Sequence, residues 1–370
     1  MRERADVSSA EAQPVSEPGA APRSLLARML PKLLISIGLG VLFAWLFAHG
    51  GVPLLPSLAH LRAVSAWAVP VYVASLLLVH YFRASRWRFL IAPVKRLPLG
   101  EVVLLNWIGF FAIFALPLRL GELARPALTK LRHGVPISVG LGTVAVERVV
   151  DGLITSLCVA WALLVLPRRT PHDAIAAHLP IYGYAALLLF SCAFVALGMF
   201  LWQRELAMQL TRATLGRVAP GLSHTLATKV GNVADGIRSI GDARLAAGFL
   251  AESVLYWGCN AVGVWLLGLG CGLPMQLGHA AAVMGVLAIG ILLPTGPGLF
   301  GNFQLAVSAA LRLYFAESLV GAEGAVFIFL LYLLQSSVMI VCGIVPLYAL
   351  HVRVRDLVSV PPSEAPLAPG

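Results

Sequence analysis

Between residues 119 and 151 the chain carries Arg119, Glu122, Arg125, Lys130, Glu147, Arg148 and Asp151, all beside or within apolar runs. Glu147 and Asp151 are four apart and share a helix face, and Arg148, three before Asp151, is spaced to pair with it. Arg119 and Glu122, and Glu122 and Arg125, are each spaced by three. Four positive groups stand against three negative ones, which leaves one positive charge for an anion. A phosphate suits such a site, because an arginine fork binds it bidentately. Insertion scales assign about 2.5 to 3.5 kcal/mol to each Asp, Lys or Arg at mid-bilayer, so three charges on one apolar helix would cost roughly 7 to 10 kcal/mol facing lipid. They must face protein or water. As a site, Arg119, Gly121, Glu122, Arg125, Lys130, Glu147, Arg148 and Asp151 form the polar floor of a cavity that admits an anionic headgroup from the cytoplasm. As architecture, they form a salt-bridge cluster that only fixes helix packing.

A second stretch, "LPTGPGLFGNFQLAV" (293 to 307), breaks any regular helix with Pro294, Gly296, Pro297, Gly298 and Gly301, and supplies Asn302 and Gln304 where the helix resumes. Free amides at a helix start attract anions, so this break reads as a gate or second contact for the same headgroup, or as a kink that serves packing. Tyr256, Trp257 and Asn260 read first as core residues and second as cavity lining. Arg83, Arg86, Trp87 and Arg88 read as an interfacial anchor with tryptophan at headgroup level. The five cysteines and nine histidines show no metal spacing, and no P-loop, GxSxG or dinucleotide fingerprint occurs in a sensible context. No catalytic residue, metal or cofactor is expected.

The elements that must hold these residues follow from composition. Of 370 residues 59% are hydrophobic and only 12% charged, whereas a soluble domain is roughly 25% charged. The chain is expected to be an all-α polytopic membrane protein, and its net charge of +10 to reflect topology and lipid contact rather than nucleic acid. Spans of about 20 apolar residues are expected at 33 to 49, 64 to 82, 136 to 166, 180 to 202, 246 to 270 and 325 to 350. Two shorter segments, 102 to 117 and 278 to 293, end at Pro117 and Pro294.

Basic residues near the first span, in 83 to 101, in 203 to 245 and at the C-terminal flank place those segments in the cytoplasm, with Arg168 and Arg169 as the exception. Parity then holds if both short segments re-enter, as hairpins from opposite faces in an arrangement that suggests an inverted repeat. Broken helices in two halves point to a transporter site, and the alternative for 102 to 117 is a tilted full span. Residues 1 to 24 read as a disordered cytoplasmic tail, 25 to 356 as one transmembrane domain with an amphipathic cytoplasmic or interfacial segment at 203 to 245, and 357 to 370 as a disordered tail.

"RLGELARPALTK", "ERVVDGL" and "LPTGPGLFGNFQ" together resemble the transmembrane domain of lysylphosphatidylglycerol synthases and the flippase-like family that shares it. The motif positions fall on Arg119, Gly121, Glu122 and Arg125, on Glu147, Arg148 and Asp151, and on Pro294, Pro297, Gly298 and Gly301. Gln304 stands where the family often has an acid. The resemblance implies a bacterial or archaeal plasma-membrane protein, both termini cytoplasmic, that handles an anionic lipid and lacks the synthases' soluble aminoacyl-transferase domain. The expected function is translocation of a phospholipid or polyprenyl-phosphate carrier. The alternatives are a membrane-embedded glycosyl or acyl transferase, with Glu122, Glu147 or Asp151 as base, and a non-transporting partner of a cell-envelope synthase.

Overall fold

The computed structural model describes residues 25–49, 53, 55–116, 121–169, 174–202, 241–291 and 297–350. The expected tails, most of the 203–245 segment, Pro117, Arg119, Pro294 and Gly296 lie outside the described residues. Among the described residues every regular element is helical.

Five helical stretches are long and apolar enough to cross a membrane: Ala68–Ile91, Ile137–Val165, Ala177–Met199, Ala243–Gly270 and Glu317–Ala349. The first is a helix pair, α3 (Ala68–Ser85) and α4 (Trp87–Ile91), bent at Arg86. The others are α7 (Ile137–Val165), α8 (Ala174–Trp202), α9 (Ala243–Gly270) and α12 (Glu317–Ala349), the last with a π-helical turn over Val320–Gly324. The span expected at 33 to 49 falls in α1 (Leu25–His49), whose apolar part, Leu33–Phe47, is shorter. A five-residue helix, α2 (Leu58–Arg62), leads into α3.

The long helices are apolar on their outer faces too. Only 11% of the α8 window is buried, and Leu188, Leu189 and Val195 on it are 58–68% exposed. Water would not tolerate so large an apolar surface on a monomer; hydrocarbon does, and the chain is a polytopic membrane protein.

The two short segments form helical hairpins. In the first, α5 (Leu99–Ala115) meets α6 (Ala124–His133). In the second, α10 (Leu277–Gly290) meets α11 (Asn302–Arg312). At 1.5 Å per residue α10 is about 21 Å long and α6 and α11 are shorter still, less than a hydrocarbon core of roughly 30 Å. Hairpin one packs against α12, α3 and α7, and hairpin two against α7, α9, α8 and α1.

Because apolar burial drives little helix association in lipid, close backbone approach has to supply the contact, and small residues mark each junction. Gly263 and Gly270 on α9 lie against Ser75 and Ala68 on α3, Gly285 on α10 against Val159 on α7, and Gly343 on α12 against Phe111 on α5. Gly121 carries the tightest turn. A Cβ there would lie 2.0–2.2 Å from the Ala112 and Ile113 backbone. Pro126 sits in the first turn of α6, where its missing N–H costs nothing, and Gly134 ends that helix in the left-handed region (φ 72°).

The hairpin tips meet. Gly298 faces Phe114 at the end of α5, and the Tyr332 hydroxyl on α12 donates to the Gly298 carbonyl at 3.0 Å. Gly301 (φ 85°) packs on the α1 backbone, 2.5 Å separating its would-be Cβ from the Ala44 nitrogen. Gly121→Ala and Gly301→Ala are each expected to destabilise the fold by about 2 kcal/mol or more, since neither clash involves an atom that can rotate away. Thermal unfolding of the detergent-solubilised variants checks this; an unchanged midpoint for both would contradict the packing described.

Candidate functional site

Two buried ion pairs bind α7 to its neighbours. Glu147 is held by Arg125 of α6, whose guanidinium spans both carboxylate oxygens at 3.1 and 2.5 Å. Arg125 also donates to the Asn106 side-chain oxygen of α5 at 2.6 Å, and its Cζ lies 5.0 Å from the Trp87 ring centroid. Asn106 spends its own N–H on the Val102 carbonyl, which fixes the amide. One turn further along α7, Asp151 accepts both N–H groups of Arg86 at 2.6 and 2.7 Å, and the Trp257 indole N–H of α9 at 2.9 Å. Arg86 is 1% exposed and donates additionally to Ser253.

These contacts correct three expectations. Asp151 pairs with Arg86 and not with Arg148, because Arg86 is buried inside the bundle with its guanidinium laid bidentately on the Asp151 carboxylate. Arg86 and Trp87 are therefore core residues rather than an interfacial anchor; Trp87 is 0% exposed and donates to Thr143 at 3.0 Å. Arg88 is part-exposed and pairs with Glu252 at 2.5 Å. Arg125 pairs with Glu147 across helices, not with Glu122 three residues earlier.

The remaining predicted residues divide. Glu122 and Arg148 approach to 3.8 Å, both about 30% exposed. Lys130 lies in the last turn of α6, its Nζ buried without a hydrogen-bond partner. At the second break, Gln304 accepts the Gly301 N–H at 2.8 Å, and Asn302 donates to the Gly290 carbonyl at 2.8 Å, tying α11 to α10. Gln304 thus takes up an amide that the sequence had offered to an anion. Pro297, Gly298 and Gly301 form the described part of that break, and Gly298 and Leu299 both have positive φ.

A cavity of about 120 Å³ opens beside the pairs, walled by Arg83, Arg148, Asp151, Tyr256, Trp257 and Asn260 on its polar side, and by Val283, Leu287 and Leu331 among others on its apolar side. Tyr256, Trp257 and Asn260 therefore line the cavity. A crevice between Gly121, Glu122, Arg125, Glu147 and Arg148 adjoins it, with Arg148 common to both.

Sequence reasoning missed Arg83 as a site residue. Its guanidinium carbon stands 4.1 Å from the Phe110 ring centroid, a cation–π contact worth roughly 0.5 to 2 kcal/mol. No carboxylate of the described residues lies within ion-pair distance of it. Among the described residues around the cavity and crevice, Arg83, Arg86, Arg125 and Arg148 face Glu122, Glu147 and Asp151, four charges against three. The surplus resides at Arg83. The available signal was its spacing of three from Arg86, which puts both on one face of α3.

The family profile described as the lysylphosphatidylglycerol synthase TM region matches residues 30–357. The chain belongs to that family. No curated protein and no solved structure matches it. In this family member, "RLGELARPALTK" supplies Arg125 and Glu122, "ERVVDGL" supplies Glu147, Arg148 and Asp151, and the two motifs meet in space through the Arg125–Glu147 pair. Among the described residues no cluster of His, Cys, Asp and Glu could hold a metal.

Arginines with and without a carboxylate partner should separate in stability. Arg125→Ala and Arg86→Ala each strand a buried carboxylate and are expected to cost about 3 to 5 kcal/mol. Arg83→Ala breaks no pair and should cost about 1 kcal/mol, the cation–π contact alone. Unfolding midpoints in one detergent would decide; equal losses for Arg83 and Arg86 would make Arg83 another structural residue.

Proposed function

We propose that the protein translocates an anionic amphipathic lipid, a phospholipid or polyprenyl-phosphate carrier, across the plasma membrane of a bacterium or archaeon. In this reading both termini are cytoplasmic and the two hairpins re-enter from opposite faces. The observation that carries it is Arg83: a guanidinium facing a cavity inside a membrane protein, with no carboxylate of the described residues within ion-pair distance. Such a charge is expensive in hydrocarbon and marks a ligand path by default. Membership of a lipid-handling membrane family supports the same conclusion.

The proposed mechanism is an exchange of partners. The headgroup phosphate enters beside Glu122 and Arg148, whose 3.8 Å contact is long and half-exposed and hence worth little, about 0 to 1 kcal/mol. Arg148 can leave Glu122 for the phosphate, and Arg83 completes a two-arginine fork. Arg125–Glu147 and Arg86–Asp151 stay closed throughout and hold α7 still. Separation of the hairpin tips, released at the Tyr332–Gly298 hydrogen bond and hinged on the glycines of the second break, would open the opposite side.

Purified protein in liposomes should move an anionic fluorescent phospholipid between leaflets. Arg83→Ala and Arg148→Ala, folded as judged by unfolding midpoint, are expected to slow that movement roughly tenfold or more, the loss of one charge-assisted contact. Movement of no lipid in a panel of anionic, zwitterionic and polyprenyl-phosphate probes, with and without ion gradients, would overturn the transport reading. Conversion of a labelled lipid to a new product would replace it with a transferase.

A further inference from the structure

A second cavity lies across α10 from the charged one. It holds about 540 Å³ and is lined by Phe43 of α1, Val159 of α7, Leu179 of α8 and Leu305, Ala306 and Ala309 of α11, among others. No charged side chain of the described residues lines it; its described polar groups are Tyr182 and Asn302, and the Asn302 amide is spent on Gly290. The cavity is open on one side rather than enclosed, and its apolar walls are a poor place for water. The volume falls within the roughly 300 to 1,000 Å³ of small-molecule sites. Its chemistry calls for hydrocarbon.

The two cavities meet at one residue. The last turns of α10 form a septum in which Leu287 and Ala288 face the charged chamber, Val286 and Gly290 face the apolar one, and Ile289 lines both. Below the septum α10 is sealed to α7, since Gly285 packs directly on Val159 and on the Thr155 carbonyl. Among the described residues, Ile289 is the one that both chambers share.

We infer that this apolar cavity is the binding site for a hydrocarbon chain of the same lipid whose headgroup meets Arg83 and Arg148, with Ile289 as the threshold between head and tail. This rests on the proposal that the charged chamber takes an anionic headgroup. It adds that a chain leaves the bilayer and enters the protein, so that head and tail are selected together. The occupant is settled by continuity: the only chain tethered to the charged chamber is the one attached to the headgroup bound there.

The test uses the full chain in nanodiscs of zwitterionic lipid doped with a phosphatidylglycerol probe that bears a diazirine at the end of one acyl chain. After illumination, peptide mapping should place adducts on Leu179, Leu305 and neighbouring cavity residues. Ala306→Trp, which fills the cavity, and Arg83→Gln, which weakens the head site, should each reduce them at least tenfold. The wild-type map stands on its own if the tryptophan variant fails to fold. Adducts confined to outward residues such as Leu188, Leu189 and Val195 would overturn the inference, because the chain would have stayed in the bilayer. Equal labelling of the cavity by a phosphatidylcholine probe, insensitive to Arg83→Gln, would overturn it as well and leave a structural lipid. Leaflet exchange measured on the same preparation keeps the two claims apart. Cavity labelling without exchange sinks transport alone, and exchange with only outward adducts sinks the tail site alone.

Discussion

Two charge pairs that cannot be solvated organise this molecule. An isolated guanidinium or carboxylate in a low-dielectric interior costs several kcal/mol even after relaxation, so each must find a partner that fills its hydrogen-bonding sites. Arg125–Glu147 and Arg86–Asp151 meet bidentately, which leaves the buried Arg86 Nε–H without a hydrogen-bond partner. Their requirement sets the positions of α3, α5, α6, α7 and α9 relative to one another. Asn106, Ser253 and Trp257 are the neutral groups that finish each pair. Such pairs add little net stability over an apolar core. They restrict which arrangements of apolar helices are tolerable, and in a bilayer, where apolar faces hardly distinguish one neighbour from another, that restriction carries the specificity.

The same cost gives the cavity its character. Once three carboxylates are committed to three arginines, a fourth arginine at the cavity wall keeps its charge with only an aromatic face to attenuate it. Under the proposed function, the site is selective by subtraction. It offers a weakly satisfied cation beside the long Arg148–Glu122 contact and two pairs too well satisfied to open. Under the proposed reading, the phosphate supplies what the protein omits.

Much of this was legible in the sequence. Low charge and long apolar runs announce a membrane protein, and the helical character of α3, α7, α8, α9 and α12 follows from run length alone. Pro117 and Pro294, with the glycines after them, mark the two short segments that fold as hairpins. The charged motifs could be named as a cluster because charge beside apolar sequence is expensive wherever it occurs. Their pairing could not. Spacing along one helix proposes Arg148 for Asp151, but a three-residue spacing makes only a solvent-grade contact, whereas Arg86 arrives from another helix with its fork aligned to the carboxylate. Arg83 and Arg86 were misread together because a basic run after an apolar span ordinarily lies at the interface, whereas here the helical stretch runs on to Ile91 and keeps both inside the bundle. Gln304 shows the converse: its role is local, capping Gly301, and the sequence of that turn sufficed to place it at the helix start.

The hairpins explain why polar and apolar chambers can lie side by side. A helix that crosses the whole bilayer satisfies its backbone along its length and leaves no end at mid-membrane. A helix that stops after fourteen residues, as α10 does, exposes carbonyls that need a donor, and Asn302 of the returning helix supplies one to Gly290. That closure is made by a side chain rather than by a continuing helix, so the chain around it is thin. One turn of α10 separates a chamber walled by arginine from one walled by leucine and alanine. An amphipathic ligand needs both environments within a few ångströms of each other, and a full-length helix between them would keep them apart. Under the proposed reading, the short helix is what lets a single residue, Ile289, stand between head and tail.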